Sequence, residues 1–298
     1  MMENEFSWQP DPESGITVDW VEANGLRFEV AQAGEGDKLA LCLHGFPELH
    51  YSWRHQIPVL AEMGYRVWAP NMRGYGATTR SNSIKAYRLN TLVQDIAGLI
   101  DASGAKEVTL IAHDWGALVA WHFAILKIRP LAKLVILNVP HPKCSVREIR
   151  KWRQFRKSWY MFFFQIPWLP EWSLRRNNAQ PIVEAFRSSA VNQRLFDDKT
   201  LEPYRSAAMQ PGAIRAMLDY YRALIRLPDF REIGSGKVDV PTLVLWGERD
   251  IAIDIHCLDG MEDYVSDLTV QRFPDASHWV QQDVPEQVNL AMKEWLGS

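Results

Sequence analysis

Cysteine is scarce in this sequence, and its spacing offers neither a disulfide framework nor a metal site. The 298 residues contain three cysteines, Cys42, Cys144 and Cys257, an odd number with no pair in CxxC spacing. Such isolated thiols are typical of reduced packing residues in a reducing compartment. The pattern argues against a disulfide-stapled secreted domain and against a cysteine-bound metal centre.

Long apolar runs, a signal peptide and a strong charge of either sign are also missing. No segment reaches the ~18 apolar residues of a membrane-spanning helix, and the N-terminus lacks a basic start followed by an apolar stretch. The formal net charge of −3 favours neither nucleic acid nor an anionic membrane as the main partner. We therefore expect a cytoplasmic protein that binds a small molecule, needs no cofactor or metal, and does not insert stably into a membrane. The sequence leaves open whether the protein forms a homodimer.

What the sequence does contain is an alternation of short apolar runs and helical patterns, without internal repeats. Apolar runs predict strands at residues 16–21, 26–31, 39–43, 65–69, 107–112, 131–139, 241–247 and 268–273. Helical patterns fall at residues 89–102, 116–127 and 286–296. After an antiparallel start, this order predicts an α/β fold with a mostly parallel central sheet and helices on both faces.

The alternation stops between residues 141 and 231, where aromatic and basic helical segments replace it. We expect one core of residues 1–140 and 232–298, with residues 141–231 inserted as a helical lid. The aromatic side chains within 152–172 are too many for a solvated helix, so some must face a pocket or pack on the core. The basic residues beside them, at 143–157, form a solvated helix face or a surface with weak attraction for anions or membranes.

The segment Leu110 to Gly116 (LIAHDWG) carries the strongest chemical signal. An apolar strand runs into a turn where the small residues Ala112 and Gly116 flank Asp114, and a helix follows. This pattern is typical of a nucleophile elbow, in which small residues let strand and helix approach while the central side chain projects into a cleft. A carboxylate kept ionised by the helix N-terminus attacks strained or halogen-bearing carbon and forms an alkyl ester. The plain alternative is an aspartate that caps a helix.

Two further polar residues follow later strands in the order that such an elbow requires. Asp250 comes after the strand at 241–247, and His278 after the strand at 268–273. In this order His278 would activate water as a general base, while Asp250 would hold its tautomer and stabilise the imidazolium. Each match is weak alone, because loop aspartates and histidines are usually structural. Together with Asp114 they predict a catalytic triad.

The loop His44 to Glu48 (HGFPE) follows the apolar strand at 39–43. The backbone N–H groups of Phe46 and Trp115 would form an oxyanion hole for the tetrahedral intermediate that arises when water attacks an Asp114 ester. Taken in isolation, the same segment is also explained by a Gly-Pro turn without function.

In combination, these motifs resemble the epoxide hydrolase branch of the α/β-hydrolase superfamily. HGFPE, RGYG at residues 73–76, the Asp114-Trp115 elbow, GERD ending at Asp250 and the His278-Trp279 pair follow the order of that family from about residue 15 onward. The resemblance implies conversion of an epoxide and water to a vicinal diol. Haloalkane and haloacetate dehalogenases share these core motifs and form the nearest alternative. A non-catalytic ligand-binding protein on the same scaffold is the alternative of another class.

The lid sequence favours the epoxide hydrolases. In that branch one tyrosine shortly precedes a Phe-Gln-x-Pro segment, another stands in a Tyr-Arg pair late in the lid, and both bind the epoxide oxygen. Here Tyr160 precedes FQIP at residues 164–167, and Tyr221 precedes Arg222. Two phenols would stabilise the alkoxide of the opening ring and supply its proton. Tyr160-Met161 also stands where a fluoroacetate dehalogenase is expected to have a His-Trp pair.

The resemblance further implies that Trp115, Phe164 and Trp279 line a pocket for a lipophilic epoxide. Asn138 and Tyr220 are also alternatives to Asp250 and Tyr221. Some relatives place the triad acid after the strand before the lid, where this chain has Asn138, so Asp250 is preferred because an amide cannot serve as the anion. Tyr220 adjoins Tyr221, but neighbours on a helix point ~100° apart, so only one should face the site.

Overall fold

The computed structural model describes residues 8–229 and 236–297. Eight strands form one sheet in the order β1-β2-β4-β3-β5-β6-β7-β8. They are β1 (Thr17–Ala23), β2 (Leu26–Ala33), β3 (Lys38–Leu43), β4 (Arg66–Pro70), β5 (Glu107–His113), β6 (Lys133–Leu137), β7 (Thr242–Gly247) and β8 (Leu268–Phe273). β2 pairs antiparallel with β1 and β4, and every later pair is parallel. The predicted α/β fold with an antiparallel start is confirmed.

Helices connect the strands and cover both faces of the sheet. They are α1 (Ile57–Glu62), α2 (Leu89–Ser103), α3 (Asp114–Ile125), α4 (Pro142–Glu148), α5 (Trp152–Lys157), α6 (Trp159–Phe163), α7 (Leu169–Ser189), α8 (Asp198–Met209), α9 (Ala213–Arg226), α10 (Val280–Asp283) and α11 (Pro285–Leu296). Within α7 the backbone is non-helical at residues 176–179. Helices α4 to α9 stand between β6 and β7, in the segment predicted as a lid. The predicted boundary at 231–232 lies outside the described residues.

The sheet separates two hydrophobic cores, because successive side chains of a strand point to opposite faces. On β3, Leu41 packs in the core that contains α2 and α3, whereas Cys42 packs in the core that contains α1 and α11. The central strands are apolar along almost their whole length because both faces are covered. All three cysteines are buried and free of disulfides.

Element boundaries differ from the predictions at a few points. Helix α1 was not predicted, and β6 is shorter than the segment 131–139 because Asn138 adopts a φ of 50°, which ends the strand. Across the described ranges, no helix combines the length and apolarity that crossing a bilayer demands. The parallel strands β3, β5, β7 and β8 bring the loops after their carboxyl ends to one edge of the sheet, where open α/β sheets bind ligands.

Candidate active site

Asp114 occupies the sharp turn between β5 and α3. Its φ of 47° lies in the left-handed region, where a non-glycine residue signals a functional constraint. A Cβ on Gly116 would lie 2.4 Å from the carbonyl oxygen of Leu43, and a Cβ on Gly45 would lie 2.3 Å from Oδ1 of Asp114. Glycine is therefore required at both positions, because the strand, the helix and the HGFPE loop converge on this one carboxylate.

The Asp114 carboxylate has a fixed partner for each oxygen. The Phe46 N–H donates to Oδ1 at 2.7 Å, and Nε2 of His278 lies 3.4 Å from Oδ2. Burial raises the pKa of Asp114, but the hydrogen bond and charge of His278, with help from the Phe46 N–H, outweigh it and leave the pKa below its usual value. Asp114 is therefore ionised at neutral pH. Trp115 follows it in the first turn of α3, where backbone N–H groups have no acceptor within the helix.

His278 bridges Asp114 to Asp250. Its Nδ1 lies 2.6 Å from Oδ2 of Asp250, whose Oδ1 accepts the N–H groups of Ala252 and Ile253 at 2.7 and 2.8 Å. Burial raises the pKa of Asp250, yet the charge and hydrogen bond of His278 bring it below the usual value. For His278, burial lowers the pKa, but the two carboxylates raise it well above 6.5. The structure thus brings together the three residues that the sequence placed on separate strand ends.

Asn138 holds the Asp250 carboxylate by a hydrogen bond, a contact that sequence reasoning missed. Its Nδ2 donates to Oδ2 of Asp250 at 2.9 Å, and its Oδ1 accepts the N–H of Gly247 at 2.8 Å. The side chain is fully buried. An amide can donate to a carboxylate and accept from a backbone N–H at the same time, which a second carboxylate cannot do. The only sequence signal was a polar residue directly after an apolar strand.

A cavity of about 310 Å³ opens above Asp114. Most of its wall is apolar, and 11 of the 19 lining residues come from the inserted segment. The lining residues are Asp114, Trp115, Leu118, Val139, Pro140, Pro142, Ser145, Val146, Ile149, Gln154, Ser158, Tyr160, Met161, Tyr221, Leu224, Ile225, Ala252, Ile253 and Cys257. A largely apolar cavity with a few polar groups beside a perturbed carboxylate is typical of a small-molecule site.

Tyr160 on α6 and Tyr221 on α9 both reach this cavity. Their ring centroids are 5.8 Å apart, and the Tyr221 ring lies 5.0 Å from that of Trp115. Burial and the nearby Asp114 charge raise the pKa of both phenols, so each keeps its proton at neutral pH. The Tyr160 hydroxyl has no hydrogen-bond partner among the residues that the structure describes. Both phenols are therefore intact O–H donors beside an anionic carboxylate.

Three other aromatic residues predicted near the site take different positions. Tyr220 donates its hydroxyl to the carbonyl oxygen of Arg73 at 2.8 Å, so only Tyr221 of the adjacent pair lines the cavity. Phe164 packs behind Tyr221 with ring centroids 5.0 Å apart. Trp279 contacts the ring of His278 and donates Nε1 to the Ser189 hydroxyl at 2.7 Å. Phe164 and Trp279 support the site from outside the cavity wall, unlike Trp115.

Comparison with known proteins agrees with this geometry. A family model described as alpha/beta hydrolase fold matches residues 40–285. The chain belongs to the α/β-hydrolase superfamily. It is 38% identical over 281 residues to human epoxide hydrolase 4, covering 90% of this chain and 75% of that protein. It is 37% identical over 292 residues to AB hydrolase superfamily protein YfhM of Bacillus subtilis, covering 95% and 98%.

A solved structure gives the same relationship. The crystal structure of Bacillus megaterium epoxide hydrolase in complex with an inhibitor aligns with a TM-score of 0.86 at 30% identity, covering 94% of this chain and all of that one. The Caenorhabditis elegans protein named epoxide hydrolase 2 is 36% identical over 296 residues, covering 96% and 82%. The predicted place of this hydrolase in the epoxide hydrolase branch is confirmed.

A buried polar network behind the triad was also missed by sequence reasoning. His113, which precedes the nucleophile, has Nδ1 2.7 Å from Oε2 of Glu48 and Nε2 2.8 Å from the carbonyl oxygen of His278. Oε1 of Glu48 accepts the side-chain amides of Gln281 and Gln282, both at 2.9 Å. The network joins the HGFPE loop, the elbow and the His278 loop. Its sequence signal was a set of polar residues next to apolar strand ends, which gives no indication of mutual contact.

Proposed function

We propose that this protein is an epoxide hydrolase that converts a lipophilic epoxide and water to a vicinal diol through a covalent ester on Asp114. One observation carries the proposal: an ionised carboxylate and two protonated phenols line the same cavity. Opening an epoxide needs a nucleophile at carbon and an acid at oxygen. A non-catalytic binding protein would need neither the Asp114 carboxylate nor the His278–Asp250 pair behind it.

In the first step, an Asp114 oxygen attacks a ring carbon and the bond from that carbon to the ring oxygen breaks. The electron pair goes to the oxygen, which takes a proton from Tyr160 or Tyr221. Because burial raises the pKa of both phenols, neither loses its proton to bulk water before the ring opens. The remaining phenol stabilises the developing negative charge by a hydrogen bond.

Formation of the ester changes the electrostatics of His278. In the resting protein Asp114 and Asp250 both raise the pKa of this histidine, so it is an imidazolium. The ester is neutral and removes one of the two carboxylates. The pKa of His278 then falls and its proton passes to the tyrosinate formed in the first step, which leaves the neutral imidazole that general-base catalysis requires. The alkylation of Asp114 thereby prepares the base for the second step.

In the second step, water attacks the carbonyl carbon of the ester and transfers a proton to His278. The N–H groups of Phe46 and Trp115 stabilise the tetrahedral oxyanion, and Asp250 stabilises the imidazolium. Collapse breaks the bond between the acyl carbon and the alcohol oxygen, and this oxygen takes the proton of the re-formed carboxyl group. The diol leaves, Asp114 is ionised again, and His278 keeps the proton taken from water, so the resting imidazolium is restored. One epoxide and one water are consumed.

We also propose that residues 141–231 act as a lid over a core of residues 1–140 and 232–298. In support, the segment supplies 11 of the 19 residues that line the cavity, including both tyrosines. The wall is mostly apolar, which suits a lipophilic substrate and keeps bulk water from the reacting atoms.

The decisive experiment uses His278→Gln with a panel of aryl and aliphatic epoxides. Ring opening needs Asp114 but hydrolysis needs the activated water, so the ester should accumulate and hydrolysis should slow by about 10²–10⁴-fold. Mass spectrometry of the digested protein should find the substrate mass on the peptide that contains Asp114. Asp114→Ala is the control and should show neither adduct nor turnover.

The same samples distinguish the alternative chemistry. Haloacetates and haloalkanes are assayed beside the epoxides, with diol and halide measured together. Halide release without diol formation would make the protein a dehalogenase. An adduct on another residue, or turnover by Asp114→Ala, would show that the nucleophile is assigned wrongly.

A further inference from the structure

Helices α5 and α6 expose large aromatic side chains on the side away from the cavity. Trp152 and Trp159 are 71% and 63% exposed. Among the described residues, eight of the fourteen exposed large hydrophobic side chains fall within residues 146–172. We call these eight the aromatic face: Val146, Trp152, Phe155, Trp159, Phe162, Ile166, Trp168 and Trp172. Exposed apolar side chains are normally scattered, so this concentration indicates a surface that another apolar phase covers.

The aromatic side chains partly support one another. The rings of Phe155 on α5 and Phe162 on α6 lie 5.5 Å apart, and Trp152 stacks on Phe155 at 6.1 Å. The opposite side of the same helices carries Gln154 and Tyr160, which line the cavity. These short helices therefore expose large aromatic side chains between basic ones and contribute to the site on their inner side, unlike the usual surface helix.

Positive charge surrounds the aromatic face. Residues 143–176 contain nine basic and two acidic side chains, a net charge of +7 in a chain whose total is −3. Within the described ranges, Arg150, Arg156 and Arg175 are exposed and form no ion pair. The remainder of the chain is negative, so an anionic surface attracts this face and repels the others.

The cavity opens beside the aromatic face. Val146 and Ile225 line the cavity, yet they are 44% and 41% exposed. Nε of Arg226 donates to Oε1 of Gln165 at 3.0 Å, which places the end of α9 next to the end of α6. A molecule held at the aromatic face therefore lies near the mouth of the site.

We propose that the aromatic face docks peripherally on the interface of an anionic lipid bilayer, so that substrate enters the cavity from the membrane. Tryptophan and phenylalanine at headgroup depth, surrounded by lysine and arginine, are the composition of interfacial binding surfaces. A second copy of this chain fits poorly, because a symmetric dimer would bring the unpaired Arg150, Arg156 and Arg175 of two faces together. A nucleic acid would not account for a cavity mouth among exposed apolar side chains. Only the entry of a lipophilic substrate rests on the proposed function.

The test is co-sedimentation of the full chain with vesicles of phosphatidylcholine alone or mixed equally with phosphatidylglycerol. Binding should require phosphatidylglycerol and weaken with salt. Each arginine near an anionic surface changes partitioning about fivefold, so Arg150→Gln with Arg156→Gln should weaken binding about 25-fold. Trp152→Ser with Trp159→Ser should weaken it further. The matched controls are Leu290→Ser, at an exposed position of α11, and Lys38→Gln, at the amino end of β3. Both should bind like wild type.

Each outcome is decisive for the surface and separate from the reaction. Binding is measured without substrate, and thermal unfolding of the same preparations shows that each variant is folded. Equal binding to both vesicles, or equal loss in the control variants, would overturn the assignment. Absence of vesicle binding would also overturn it, and self-association or nucleic-acid binding that Trp152→Ser removes would identify another occupant of this face. Failure of the hydrolase proposal would leave vesicle binding unchanged.

Discussion

The carboxyl edge of the sheet and the inserted helices contribute opposite kinds of group to one cavity. At the sheet edge every charged group has fixed partners: Asp114 contacts Phe46 and His278, and Asp250 accepts from a side-chain amide and two backbone N–H groups. In the insertion Tyr160 has no hydrogen-bond partner among the described residues. The difference teaches that buried charges must be compensated by the fold, whereas donors meant for a substrate must be left free.

Within the insertion, Arg222 makes several polar contacts that link three helices. Nε of Arg222 donates to the carbonyl oxygen of Phe164 at 3.0 Å, and Nη1 donates to Glu171 at 2.6 Å and to Asp219 at 3.3 Å. Arg222 thereby joins α9 to α7 and to the end of α6. It therefore connects the helices α6 and α9, which carry Tyr160 and Tyr221.

The largest effect should come from removing the hydroxyl groups of Tyr160 and Tyr221. Tyr160→Phe and Tyr221→Phe should each slow ester formation by roughly 10²–10³-fold, and the double variant should nearly abolish it, because no acid is left for the opening oxygen. Stability should hardly change, since phenylalanine keeps the ring volume. Single-turnover alkylation of Asp114 measures the rate, and thermal unfolding is the control. Unimpaired epoxide opening by the double variant would show that the inserted helices do not supply the acid for the opening oxygen.

A substitution in the buried network of Glu48 and His113 should have the opposite effect and reduce the stability of the fold. Glu48→Gln removes the charge from a fully buried pair with His113 and should reduce the free energy of unfolding by about 3 kcal/mol. Glu107→Gln is the matched control, because its ion pair with Lys38 is exposed at 3.9 Å and should contribute less than about 0.5 kcal/mol. Denaturant unfolding of both variants provides the measurement. Equal losses would mean that the network is not structural.

The pH should separate the two half-reactions. Asp114 has a lowered pKa and stays ionised well into the acid range, so ester formation should persist there. Hydrolysis needs neutral His278, so it should slow about tenfold for each pH unit below the pKa that this histidine has in the ester. Rapid-quench mass spectrometry should therefore find a growing fraction of ester as the pH falls. A fraction that is constant, or that falls toward acid pH, would contradict the assigned base.

The smallest effect should come from the residue that holds the triad acid. Asn138→Ala leaves the buried Gly247 N–H without its acceptor and removes one donor from Asp250. We expect a loss of about 1–3 kcal/mol in stability and slower ester hydrolysis, with ester formation nearly unchanged. Asn82→Ala, at an exposed loop position, is the control. Equal slowing of both half-reactions would show that Asn138 does not act through Asp250.

The sequence by itself predicted the succession of strands along the chain, the elbow and the proximity of Asp114, Asp250 and His278. These features depend on local patterns: an apolar run, a small-x-Asp-x-small turn, and polar residues directly after strands. Parallel strands bring such ends together in any fold of this class, so chain order alone was enough to predict the proximity of Asp114, Asp250 and His278.

Only the tertiary structure decided which neighbouring side chains serve the site and which support it. Tyr220 and Tyr221 differ by one helical position, yet one contacts a core carbonyl and the other lines the cavity. Asn138 and Asp250 are 112 residues apart in the sequence, so no local pattern could identify them as hydrogen-bond partners. Such roles depend on how helices cross and on which buried polar groups find each other, because each group needs a partner that the fold, rather than its neighbours in sequence, supplies.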